Sequence, residues 1–132
     1  MAGSPCPRYG TTRKGLGVNQ LTTAQNICND YTALGDYIGL CTGPPGNTST
    51  VLNECTGGSP AYARQATTWT ANANGSATGS QVTINLPAGT YPYLIMCSGA
   101  TGNNMVDWCI LSTPITNSAQ GPVTITPATS VT

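Results

Sequence analysis

The chain has no histidine and no phenylalanine, and only 6% of its 132 residues are charged. Without histidine there is no imidazole base, no Ser-His or Cys-His pair and no imidazole metal ligand. The carboxylates are Asp30, Asp36, Glu54 and Asp107, and the cations are Arg8, Arg13, Lys14 and Arg64. A soluble domain usually carries about 25% charged residues, so this surface is built from Thr, Ser, Asn, Gly and Ala. So few charges give no long-range steering toward nucleic acid or anionic lipid. No run of apolar residues approaches the length needed to span a membrane as a helix. The first eight residues, Met-Ala-Gly-Ser-Pro-Cys-Pro-Arg, have no apolar core of a secretion signal. The expectation is a protein made in a cytoplasm that works packed against copies of itself or other subunits, with no nucleic-acid or membrane partner.

What the chain does have is turn formers, small polar residues and six cysteines, at positions 6, 28, 41, 55, 97 and 109. No Cys-x-x-Cys spacing occurs, which gives no support to a zinc or thioredoxin-type site. Cys97 and Cys109 fall inside apolar runs and read as buried, reduced thiols. Cys41 and Cys55 flank Gly43-Pro44-Pro45-Gly46-Asn47 almost symmetrically, like the two ends of a hairpin. They form the one candidate disulfide; a bridge closing a loop of that size contributes about 3 kcal/mol.

Residues 1–19 read as an extended basic arm, with Pro5, Pro7, four glycines and the cations Arg8, Arg13 and Lys14. Such a stretch cannot bury enough apolar surface to fold alone. Its cations suit an acidic patch on a neighbour and are too few for nucleic acid. Leu21, Ala24, Ile27, Cys28 and Tyr31 recur at three- and four-residue steps, which predicts a helix over 20–33. Thr22 or Thr23 is its expected cap, and Gly35 its stop.

Beyond Gly35 the pattern turns to β. Strands are expected over 37–42, 61–70, 81–86, 91–97, 105–111 and 122–126. Val82, Ile84 and Leu86 alternate inward, as do Val123 and Ile125; Val106, Trp108 and Ile110 are expected on one face. Residues 91–97 are apolar on both faces, the mark of a central strand. Residues 71–80 read as a small-polar linker and 128–132 as a polar tail. The sequons Asn47-Thr48-Ser49 and Asn74-Gly75-Ser76 read as chance matches. The expected fold is mainly β: one antiparallel β-sandwich or barrel-like domain over residues 20–127, with a short N-terminal helix and an extended arm.

No catalytic constellation emerges. A glycosidase needs two facing carboxylates, and nothing in the spacing brings two of these four together. A Ser-Lys dyad would depend on Lys14 in the arm, a poor place to hold a base. The cysteines lack a histidine partner. The expectation is no enzyme, no cofactor and no metal. Arg64 is the one cation in an expected strand, with Tyr62 two residues away on the same face. Two readings stand for it: a structural arginine covering the sandwich edge, or a subunit contact. Trp69 and Trp108 read as core, although Tyr and Trp among Asn-rich loops also suit stacking on sugars.

The stretch Gly57-Gly58-Ser59-Pro60-Ala61-Tyr62-Ala63-Arg64-Gln65-Ala66 resembles a family of small tailed-phage virion proteins, frequent in phages of actinobacteria. Those proteins are described as tail fibre, minor tail or capsid decoration proteins. The similarity continues through Leu86-Pro87-Ala88-Gly89, the turn Ser98-Gly99-Ala100-Thr101-Gly102-Asn103-Asn104 and Leu111-Ser112-Thr113-Pro114, covering residues 20–127. The six cysteines and the arm depart from that pattern. The resemblance implies a non-enzymatic virion protein. The first expectation is a decoration protein on the capsid surface, a homotrimer cementing the major capsid protein through Tyr62, Arg64, Arg8, Arg13 and Lys14. The alternative is a minor tail or tail-fibre protein that contacts host-surface glycans.

Overall fold

The computed structural model describes residues 20–131. The sequence-predicted arm of residues 1–19, including Arg8, Arg13 and Lys14, lies outside them. One helix, α1 (Leu21–Ala33), is followed by nine strands. These are β1 (Tyr37–Cys41), β2 (Gln65–Ala66), β3 (Trp69–Ala73), β4 (Ser76–Gly79), β5 (Val82–Leu86), β6 (Gly89–Cys97), β7 (Met105–Asn117), β8 (Gly121–Ile125) and β9 (Ala128–Ser130).

The strands form three antiparallel sheets, ordered β2-β1-β6-β7, β3-β4-β9 and β5-β8. None closes on itself, so the architecture is a sandwich and the barrel-like alternative is set aside. The period of two explains how the layers meet. Ile38 and Leu40 of β1 pair with Met96 and Leu94 of β6 and point into the main core. There they meet Val82, Ile84 and Leu86 of β5, with Val123 and Ile125 of β8 packed alongside. The intervening residues Cys41, Ile95 and Cys97 face the opposite side, against Tyr37, Val51, Tyr93 and Trp108. Residues 91–97 thus lie within a central strand buried on both faces, as their composition requires. Pro92 has no N–H to donate, and the β6–β7 register shifts between Tyr91 and Tyr93.

Helix α1 packs Ala24 and Cys28 against Ala77 and Val131. Its cap is Gln20, whose side chain accepts from the Thr23 amide at 2.9 Å, rather than Thr22 or Thr23, which lie inside the first turn.

Four other expectations are corrected. Residues 71–80 are no linker but the β3–β4 hairpin, which turns on Asn74 (φ 57°) and Gly75 (φ 89°). Two consecutive positive φ values are what the tight hairpin turn needs, and Asn-Gly supplies them. The expected strand over 61–70 is broken into β2 and β3, because Thr67 donates its amide to Asp36 and its hydroxyl to Ser80. The expected tail carries β9, which pairs with β4, and within the tail Thr129 and Val131 are buried. The single face for Val106, Trp108 and Ile110 fails at a bulge: Met96 pairs with Asp107 and Cys97 with Met105, skipping Val106. Val106 then packs on the main core, Trp108 on the opposite side, and Ile110 is 58% exposed.

Candidate functional site

The expected Cys41–Cys55 disulfide is absent, and both thiols are free and buried. The reason is register. Cys41 bridges to Glu54, while the Cys55 amide donates to Leu40 at 3.0 Å. An offset of one residue places the two side chains on opposite faces of the sheet. Cys55 joins the main core and Cys41 the cluster behind it. Cys97 is a free buried thiol as expected, and so is Cys28. Cys109, expected to be reduced, is disulfide-bonded. Burial and nearby Glu54 push the Cys41 thiol up to about 12, and burial pushes Cys97 up to about 11.

The same offset aims Glu54 at Arg64. Arg64 is 6% exposed. Its Nε donates to Glu54 Oε2 and its Nη2 to Glu54 Oε1, both at 2.8 Å. Its Nη1 donates to Gly99 O at 3.1 Å and to Asn104 Oδ1 at 2.9 Å, and its Nη2 also to Gly102 O at 3.0 Å. A guanidinium has five N–H groups, and all five are used. The hydrogen bonds to Glu54 raise its pKa further.

Tyr62 completes the cluster. Its hydroxyl donates to Glu54 Oε2 at 2.8 Å and accepts from the Leu40 amide at 3.1 Å. Burial, and then the Glu54 carboxylate, push the phenol well above its usual range. Gly39 makes room for it: a Cβ there would stand 2.4 Å from the Tyr62 hydroxyl.

Arg64 is therefore buried and Tyr62 half-buried, and both are engaged by Glu54 within the domain. Arg64 holds the turn 99–104 against the segment 54–64. Together they border a shallow groove of about 290 Å³ edged by Thr56, Gly57, Ala63, Ala100 and Thr101. The guanidinium has no donor left for an anion, and the rim around it exposes backbone and small polar groups.

Asp107 accepts from the Tyr31 hydroxyl at 2.5 Å and from the Trp108 amide at 2.8 Å. Asp30 and Asp36 are exposed. Among the described residues no group of three or more His, Cys, Asp or Glu side chains could hold a metal ion. No helix there is long and apolar enough to cross a membrane. Trp108 stacks edge-on with Tyr93 at 5.6 Å between ring centroids, and the Trp69 indole donates to Gly35 O at 2.9 Å. Sequence reasoning singled out Arg64 but missed Glu54, Asn104 and the carbonyls of Gly99 and Gly102. The lone strand cation signalled a paired carboxylate; which of the four it would be depended on the register at Cys41.

Fold and cluster define a small antiparallel β-sandwich whose one described cation braces its own loops. Residues 18–131 match the family described as podophage GP4 fiber I protein gp80, and the chain belongs to that family. It is a bacteriophage structural protein of a fibre family and a virion component. No curated protein and no solved structure matches the chain.

Proposed function

We propose that the chain is a non-enzymatic fibre component of the phage virion, and that the loop rim braced by Arg64 is its contact surface. The observation that carries this reading is the fibre-family match across the whole described domain. The geometry agrees with it. A fibre must present a fixed surface under mechanical load, and a fully hydrogen-bonded guanidinium beneath two loops provides rigidity without a mobile charge. The small, uncharged rim groups suit packing against further copies of the chain or against hydroxyl-rich glycans of the host surface.

Copy number per particle, by quantitative mass spectrometry of purified virions, tests the proposal. A small number set by fibre symmetry supports it. A stoichiometry fixed to the major capsid protein overturns it in favour of capsid decoration. Binding of the purified chain to host envelopes then separates a host-contacting fibre tip from a shaft: binding abolished by substitutions at Thr56 or Thr101 identifies the rim as the contact.

A further inference from the structure

A second cleft, of about 470 Å³, lies away from Arg64. It is lined by Thr32–Asp36 at the C-terminal end of α1, by Thr67, Thr68 and Trp69, and by Ser98. The one charged side chain in this lining is Asp36. The last carbonyls of a helix carry partial negative charge, and α1 has no basic residue in its last turn to offset it. Asp36 is exposed, and its carboxylate has no hydrogen-bond or ion-pair partner among the described residues. The half-buried Trp69 indole also lines the cleft, held in place by its bond to Gly35 O.

The charges of the chain complement this cleft. Residues 20–131 hold one cation, Arg64, against four carboxylates, a net charge of −3. The other three cations, Arg8, Arg13 and Lys14, share the seven-residue stretch 8–14, ahead of the helix in sequence. They are also within reach. Helix α1 has 13 residues and spans about 20 Å. Counting back from Gln20, an extended chain covers about 20 Å to Lys14 and about 40 Å to Arg8. A tethered cation meets its own cleft at an effective concentration far above that of a second molecule.

We propose that the cleft at the C-terminal end of α1 binds the basic stretch 8–14 of its own chain, a Lys or Arg side chain pairing with Asp36 beside Trp69. Trypsin reads this directly, because the only lysines and arginines are the three in that stretch and the buried Arg64. The full chain is digested at low and at high salt, and cleavage after Arg8, Arg13 and Lys14 is followed by mass spectrometry. Asp36→Asn is expected to speed cleavage about threefold or more at low salt, and high salt to do the same to the wild type. Asp30→Asn, in the last turn but outside the lining, is expected to leave the rate unchanged. An intact Arg64–Gln65 bond shows that each variant remains folded. Equal rates for wild type and Asp36→Asn overturn the proposal. Equal acceleration by Asp30→Asn overturns it too, because attraction is then diffuse. Protection that disappears on dilution assigns the occupant to a neighbouring copy and overturns the own-chain assignment.

Discussion

Arg64 and Glu54 meet edge to edge through two parallel hydrogen bonds of 2.8 Å, Nε to Oε2 and Nη2 to Oε1. Their side chains are 4% and 19% exposed. Each ion is costly to bury alone, so the pair stands or falls together. Glu54→Gln keeps the shape and leaves the guanidinium without its counter-charge. The expected loss is about 3 kcal/mol. Arg64→Lys keeps the charge but cannot reach two carbonyls, an amide and a carboxylate at once, and about 2 kcal/mol is expected. Urea unfolding of both variants measures this; a loss below about 0.5 kcal/mol in each would show that the cluster does not brace the loops.

Alkaline pH destabilises the fold through the buried thiols. Cys97 and Cys41 rise from 9.0 to about 11 and about 12 on folding. Below pH 9 both thiols are protonated in folded and unfolded chains, and their contribution is fully present. Above it the unfolded thiols ionise first, so stability falls progressively up to about pH 12. The urea midpoint is expected to drop between pH 8.5 and 10.5, and less steeply in a Cys41→Ala, Cys97→Ala double variant. Identical slopes would place the alkaline loss elsewhere.

Gly75 sits directly against helix α1. Its φ is +89°, and a Cβ there would stand 2.8 Å from the Ala24 Cβ. Gly75→Ala combines backbone strain with a clash against α1, and about 2 kcal/mol of destabilisation is expected. Ala24→Gly made in the same chain is expected to recover part of it, because it removes the atom the new methyl meets. Additive losses in the double variant would refute the contact.

Cys41 and Cys55 are predicted to react as free thiols. In denaturant without reductant, both take up an alkylating reagent, and peptide mass spectrometry finds each modified. In the native state both are slow, since burial disfavours the thiolate in each. A Cys41–Cys55 linked peptide would contradict the register at Glu54.

By itself the sequence determined the class of structure. The alternation at Val82, Ile84 and Leu86, the two-sided apolar run 91–97 and the helical spacing from Leu21 to Tyr31 each place side chains by local periodicity, which needs no knowledge of partners. The hairpin at Asn74-Gly75 was equally legible through its turn chemistry, but the small polar residues around it masked its strands. Only the tertiary structure decided the partnerships. A one-residue register offset beside Cys41 turned a plausible disulfide into two thiols on opposite faces, and turned Glu54 toward Arg64. Register depends on which faces the whole sheet buries, and so does the choice between an arginine at a surface and one beneath it. That choice put Arg64 beneath the turn 99–104, where it braces the loop.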